Sequence, residues 1–376
     1  MEVRPAWIEI SLTAIKRNIS AFRRIISGEA EIMGIIKADA YGHGALEVAN
    51  ALRKEGVRCF GVALVQEGVE LRENGADEPL LILGYTPEED FRLALEYGLT
   101  LTIYNHAQAV VLNSIAGKTE KSAPLHLKVD TGMGRIGFLP GKAAVEEIEK
   151  ITTLPFLTLE GIYSHQAWAD NLQSNFAEIQ FTRFQDFLST LEERGIHIPI
   201  RHLANSAATI NFPSMHLDLV RIGISLYGLY PDAEMAVNPK IELHPAMQVK
   251  AKLVHVKRVP AGTPLSYGCT FTTGRKSLIG TVPMGYADGI PRALSNNGQV
   301  LVRGTRCPIA GRICMDQFMV DLTDLGEAAV GDEVVFLGRQ GAQEISADEI
   351  AERAGTISYE IVTRMSRRLP RKYLDS

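Results

Sequence analysis

Between about Glu31 and Gly228, short β-rich apolar runs alternate with helical patterns, and no other feature of the sequence constrains its fold as tightly. The runs lie at 32–38, 59–63, 80–83, 99–104, 125–130, 159–163, 200–203 and 217–224. Helical patterns fall between most of them, at 45–54, 66–74, 87–97, 106–116, 142–151 and 174–194, with room for one short helix after Asn205. Several runs are apolar on both faces, as strands buried in a parallel sheet are. Eight such runs, most followed by a crossover, predict an α/β fold of the (β/α)8 TIM-barrel type, with a doubly wound open sheet as the alternative.

The pattern changes after 231–244. An alternating stretch at 247–259 and further runs at 278–282, 299–303, 318–321 and 333–337 are punctuated by glycine and proline, which predicts a mainly β domain with one helix at 347–354. Asn296-Asn297-Gly298, between two of these runs, reads as a hairpin turn. A chain of 376 residues has room for two domains, so the barrel is placed at 1–240 and the β domain at 241–376.

Composition narrows the function. With 46% hydrophobic and 22% charged residues the chain can bury a large core. Its 39 basic and 44 acidic residues give a net charge of −5, with the signs interspersed, so nothing favours nucleic acid or an anionic membrane. No segment reaches the ~18 apolar residues of a spanning helix, and the N-terminus lacks the apolar stretch of a signal peptide. Cys59, Cys269, Cys307 and Cys314 form no CxxC pair, and the nine histidines contain no HExxH, which argues for a reducing, cytoplasmic location and against zinc.

In a TIM barrel the chemistry sits at the C-terminal ends of the strands. The first run ends at Lys37, in Lys37-Ala38-Asp39-Ala40-Tyr41-Gly42-His43-Gly44. A lysine closing an apolar strand is desolvated and becomes an amine competent for a Schiff base, unless it has reached the rim and snorkels to water. Ser206, Gly223 and Ile224 close the seventh and eighth runs, where barrel enzymes often hold a phosphate, although Ser206 could equally cap a helix. A Schiff-base lysine and a phosphate cradle on one rim suggest pyridoxal 5′-phosphate. Gly132-Met133-Gly134-Arg135-Ile136-Gly137 matches GxGxxG after a strand and before a helical pattern, but carries an arginine inside the fingerprint and lacks a clear βαβ continuation.

Taken together the motifs resemble the alanine racemase family, enzymes built on a barrel plus a β domain. Besides 37–44, the resemblance covers 128–137, Tyr163-Ser164-His165, 201–208, 221–228, Leu265-Ser266-Tyr267-Gly268, Gly285-Tyr286-Ala287-Asp288-Gly289, 311–317 and 356–360. It implies that Lys37 holds pyridoxal 5′-phosphate and acts as one acid/base, with Tyr267 as the other on the opposite face of the substrate α-carbon. It implies that Arg135 and the backbone at Met315 receive the substrate carboxylate. Tyr41, Ser206, Gly223, Ile224 and Tyr359 would bind the phosphate, Arg221 would face the pyridine nitrogen, and His165 would lie near the ring. Asn205 and Asp316 would line the pocket. Lys128 matches a lysine that is often carbamylated, the alternative being an ordinary lysine paired with a carboxylate. Tyr267 and Met315-Asp316 would come from a partner subunit, which implies a homodimer with shared sites and a small amino-acid substrate.

Racemisation removes a proton from one face of the α-carbon and returns one to the other, so two acid/base groups meet its need. A phenol ordinarily titrates near ~10, so cationic neighbours are required, and His165 and Arg221 are expected to supply them. An arginine only donates hydrogen bonds, so the pyridine nitrogen it faces stays unprotonated, which disfavours transamination. The rival readings are a serine or broad-specificity racemase, a non-catalytic pyridoxal-phosphate regulator, and a nicotinamide dehydrogenase.

Overall fold

The fold is given by a computed structural model that describes residues 4–375; residues 1–3 and 376, at the ends of the two expected domains, lie outside the described residues. The chain divides into two compact units, one of residues 16–40 and 45–243, the other of residues 41–44, 244–375 and the described residues up to Ile15. The first strand, β1 (Ala6–Ser11), belongs to the second unit, and the barrel begins with the next.

The barrel strands are β2 (Glu31–Ile35), β3 (Cys59–Val62), β4 (Leu80–Ile82), β5 (Leu101–Ile103), β6 (Ala123–Lys128), β7 (Leu157–Tyr163), β8 (Ile200–His202) and β9 (Leu219–Ile222). They form two parallel sheets, β4-β3-β2-β9 and β5-β6-β7-β8. Backbone bonds close both seams. Ile82 N–H donates to Thr100 O at 2.9 Å on one side, and Asp218 N–H to Arg201 O at 3.1 Å and Arg221 N–H to Ala204 O at 3.0 Å on the other. The result is a closed (β/α)8 TIM barrel. Its helices bury one stripe each: Lys142–Thr152 turns Ala144, Val145, Ile148 and Ile151 inward, the spacing of a 3.6-residue period. Each strand falls within a few residues of its predicted run, as expected where short runs rich in β-branched and aliphatic residues alternate with helical patterns.

The second unit carries a ten-stranded sheet. Its strands are β10 (Met247–Lys252), β11 (His255–Val259), β14 (Ser277–Val282), β15 (Gln299–Val302), β16 (Thr305–Ala310), β17 (Phe318–Asp321), β18 (Glu333–Gln340), β19 (Gln343–Ile345) and β20 (Arg371–Leu374), with β1 between β10 and β20. A separate two-stranded ribbon joins β12 (Pro264–Leu265) to β13 (Phe271–Thr272). β1 pairs antiparallel with β10 and parallel with β20, so residues that precede the barrel complete the sheet that follows it. Neither β1 nor the helix Leu12–Ile25 that follows it was read from the sequence, although AWIEIS alternates inward and outward as a sheet strand should.

The expected hairpin at Asn296-Asn297-Gly298 is corrected. β14 pairs with β11 and β17 and not with β15. The hairpin lies one strand later, where β15 and β16 pair from Val302 to Thr305 across Arg303 and Gly304, at φ 49° and 72°. Two left-handed residues match the twist of the flanking strands. Asn296 is also left-handed, at φ 58°, but its side chain caps Gly311 N–H at 2.6 Å and its turn leads out of a loop.

Candidate active site

Lys37 follows β2 by two residues and opens a turn of unusual hand. Ala38, Asp39, Ala40 and Tyr41 have φ of 52°, 54°, 53° and 53°, and Gly42 has 82°. Left-handed L-residues each cost about 1–2 kcal/mol, so four store roughly 4–8 kcal/mol that neighbouring groups must hold. Ala38 N–H donates to Glu67 Oε1 at 2.6 Å, and Ala45 N–H to Asp39 Oδ1 at 2.9 Å. The other Glu67 oxygen accepts from Ala63 N–H at 2.7 Å, so one carboxylate ties the loop after β3 to the residue after Lys37. Glu67 was not singled out in the sequence, where it is one acid in a helix. The turn ends at Gly42, whose missing Cβ would lie 2.4 Å from Val362 O of the helix Ser358–Thr363. Gly42→Ala should therefore cost more than ~1 kcal/mol and lower the melting temperature by several degrees; unchanged melting would show that the helix yields.

The Lys37 amine is held below the usual lysine range by burial first and then by the charges of Arg135 and Arg221, with Glu67 opposing them. Lys128, at the end of β6, is buried and is pushed down further by the same causes, burial and then Arg221 and Arg135. Its Nζ donates to Val129 O at 3.2 Å and lies 4.8 Å over the Tyr163 ring. No carboxylate reaches ion-pair distance of it among the described residues, so the reading of Lys128 as half of an ordinary salt bridge is corrected.

Where most barrels fill their core with Val, Ile and Leu, this one places a polar cluster. Arg221 on β9 is 3% exposed and has four acceptors: His202 Nδ1 at 3.0 Å, His165 Nδ1 at 3.1 Å, Ser164 O at 2.9 Å and Leu203 O at 3.0 Å. Burial lowers its pKa to about 10, which leaves the guanidinium charged at neutral pH. His202 stacks on Tyr163, ring centroids 4.7 Å apart, and its Nε2 lies 2.9 Å from His126 Nδ1. Burial and then Arg221 drive His165 far below its ordinary value, so His165 is neutral and does not supply the cationic neighbour expected of it. A side chain that accepts from Arg221 at Nδ1 has no reason to protonate there.

The same burial makes the fold acid-sensitive. Burial and then Arg221 hold His126 at about 4 and His202 well below its ordinary value, whereas both titrate near ~6.5 once unfolded. Between those values the unfolded chain binds more protons. Stability is thus full above ~6.5 and falls as the pH drops below it, by roughly 1 kcal/mol per pH unit for each histidine. Urea melts at about pH 7.5 and about pH 5.5 should show the loss, and a flat profile across that window would contradict it.

On the same rim, Ser206 is buried and its Oγ accepts from Gly223 N–H at 2.9 Å, which leaves the hydroxyl hydrogen to donate. The cap of helix Ser206–Asn211 is Asn205, whose side chain accepts from Ala208 N–H at 3.0 Å, so Ser206 is not the N-cap. Ile224 is buried and opens a short 3₁₀ turn. Arg135 is exposed on the turn after β6, which Asp130 braces by accepting from Gly132 N–H at 2.9 Å and Gly134 N–H at 3.0 Å. No helix opens on the GxGxxG stretch: Phe138 pairs back with Val129, and the next helix starts at Lys142. A dinucleotide's pyrophosphate would find no helix N-terminus there.

The second unit holds the other expected residues. Tyr267 is 72% exposed on a short turn whose Ser266 Oγ donates to Arg312 O at 2.6 Å. Met315 is 52% exposed. Its turn is fixed by Tyr286 N–H to Cys314 O at 3.0 Å and Ala287 N–H to Met315 O at 3.1 Å, an approach that a Cβ at Gly285 would block at 2.2 Å. Arg368 donates to Asp316 Oδ1 at 2.6 Å, and the Tyr41 and Tyr359 rings are 6.4 Å apart.

The barrel thus gathers Lys37, Lys128 and Arg221 at the ends of its strands, while Glu78, the one carboxylate buried among its described residues, is paired with Arg53. Two family models match the chain: the N-terminal domain of alanine racemase over residues 10–231 and its C-terminal domain over residues 246–373. The chain belongs to the alanine racemase family. An alanine racemase from Methanococcus maripaludis is 47% identical, with 100% of both chains covered, and one from Halothermothrix orenii is 46% identical over 98% of this chain and 97% of its own. Among solved structures, the alanine racemase of Clostridium difficile 630 superposes with a TM-score of 0.96 at 41% identity, covering 100% of this chain and 97% of its own. The alanine racemase of Bacillus anthracis with bound L-Ala-P gives 0.94 at 38% identity, over 99% and 95%.

Proposed function

We propose that this chain interconverts L- and D-alanine, using pyridoxal 5′-phosphate held on Lys37, as a cytoplasmic homodimer in which each subunit completes the other's site. The observation that carries the reading is a buried, charged guanidinium at Arg221 together with two amines, Lys37 and Lys128, that burial and neighbouring guanidinium charge hold below the usual lysine range. A buried guanidinium and desolvated amines favour anionic and carbonyl ligands, and a phosphorylated aldehyde cofactor and an amino-acid carboxylate are such ligands. The donor set fits the group: a desolvated amine for its aldehyde, the Ser206 hydroxyl with Gly223 and Ile224 for its phosphate, and a permanent donor at Arg221 for its ring nitrogen. When bound, the group supplies a conjugated system that acidifies the substrate α C–H.

The chain's own residues do the rest. The Lys37 amine would hold the group at its aldehyde and move the α-proton on one face, and the partner subunit's Tyr267 hydroxyl would move it on the other. Arg135 and the partner subunit's Met315 backbone orient the substrate carboxylate, with Asn205 and the partner subunit's Asp316 lining the pocket. Tyr41 and Tyr359 join Ser206 at the phosphate. Arg221 keeps the ring nitrogen unprotonated because it can only donate. His165, neutral, accepts from Arg221 beside the ring. Lys128 takes up carbon dioxide: its neutral amine forms an N–C bond and releases a proton, and the resulting carbamate gives Arg135 an anionic partner.

The exposure of Tyr267 and Met315 on their own unit supports sharing between subunits. Four free cysteines support a reducing compartment, and among the described residues no helix is long and apolar enough to cross a membrane. The test is complementation. Lys37→Ala and Tyr267→Phe subunits, each inactive alone, are dissociated together and reassembled. Mixed dimers carry one site with both defects and one with neither, so about a quarter of wild-type alanine racemisation should return on random reassortment. No recovery, with mixed dimers present, would place both residues of each site on one chain.

A further inference from the structure

We propose that His126 is a positioning residue of the reaction: by accepting the Nε2 proton of His202 it holds, together with Arg221 donating at Nδ1, the tautomer of His202 and with it the seating of Arg221. The donor inventory compels one polarity along the chain of contacts. Arg221 Nη1 can only donate, so His202 Nδ1, at 3.0 Å, accepts and the His202 proton sits on Nε2. That Nε2 lies 2.9 Å from His126 Nδ1, which must then accept in turn. A proton on His126 Nδ1 would set two donors face to face and press His202 toward the opposite tautomer, whose Nδ1–H would confront Arg221.

Two features of the strands show that the position is built for an imidazole. The β6–β7 pairing slips between Leu125 and His126, so that Leu125 faces Leu159 but His126 faces Gly161. Such bulges re-aim a side chain. At Gly161 a Cβ would come within 2.5–2.9 Å of three ring atoms of His126, so only glycine leaves the slot open. His126 is 4% exposed and His202 0%, which keeps bulk solvent away from the contact. Tyr163, stacked on His202 at 11° between planes, fixes that ring's plane but offers it no acceptor at Nε2. The low pKa that burial gives His126 keeps it neutral, as an acceptor must be. Sequence reading passed over His126 because a histidine in mid-strand carries no motif.

The proposal rests on Arg221 facing the cofactor's ring nitrogen, and its test separates the two. The probe is histidine-selective ¹⁵N NMR, read on the cofactor-loaded enzyme and again on the protein without added cofactor, alongside steady-state turnover of alanine. His126→Phe keeps a ring and removes the acceptor; His126→Asn places an amide oxygen near where Nδ1 was. In wild type and His126→Asn, His202 should be the Nε2–H tautomer. In His126→Phe it should become a mixture, with kcat down ~10–100-fold, KM nearly unchanged and most of the loss restored by asparagine. Should His126→Phe fail to fold, His126→Gln serves, because its amide reaches toward the Nε2 position and cannot stand in for Nδ1. A wild-type His202 protonated on Nδ1, or an unchanged tautomer in the variants lacking the acceptor, removes His126 from the scheme. A shifted tautomer with unchanged turnover overturns the proposal through Arg221 instead.

Discussion

Lys37→Ala should abolish racemisation, with kcat/KM falling at least ~10⁴-fold, because in the proposed reaction one residue supplies both the covalent anchor and one of the two bases. Its amine is suited to both duties by the same physics. Burial and the neighbouring charges of Arg135 and Arg221 lower its pKa, so a larger share is neutral near pH 7, and a neutral amine is the nucleophile. The left-handed turn that begins beside it keeps the amine in one place at a conformational cost the surrounding hydrogen bonds offset. Borohydride reduction of the loaded wild type, followed by peptide mapping, should label a peptide containing residue 37 and no other. Lys37→Ala should lose both the label and the visible absorption. Label on another lysine, or residual turnover within tenfold of wild type, would move the chemistry elsewhere.

Tyr267→Phe should leave the cofactor's absorption intact and lower racemisation by ~10²–10⁴-fold, the span expected for loss of the acid/base group proposed there. The two enantiomers have equal free energy, so kcat/KM must fall equally in both directions, and direction alone cannot identify the missing base. Solvent exchange can. With Lys37 still in place, the variant should wash deuterium from D₂O into the α-position of one enantiomer without inverting it, while the other enantiomer exchanges far more slowly. Wild type should exchange both. Exchange lost from both enantiomers alike would mean that Tyr267 positions the substrate and moves no proton.

Much of this was legible beforehand. The TIM barrel was readable because strands apolar on both faces and helices apolar on one leave distinct periods, and family motifs at the strand ends carried Lys37, Arg135 and Arg221 with them. What escaped had no local signal. Glu67 and His126 act through partners far along the chain, in one case 76 residues away at His202. The Asn296-Asn297-Gly298 signal marked a real left-handed residue but named the wrong strands, since turn chemistry sets a local dihedral and leaves the pairing to registers on either side.

By itself the sequence determined which segments become strand or helix, because burial and periodicity act within a dozen residues, and which side chains arrive at the strand ends. Only the tertiary structure decided where those side chains stand electrically. That His165 is neutral, that Lys128 meets no carboxylate among the described residues, and that β1 closes the sheet of the later domain depend on what is packed alongside. Desolvation and hydrogen-bond direction belong to neighbours in space, and the order of residues along a chain does not contain them.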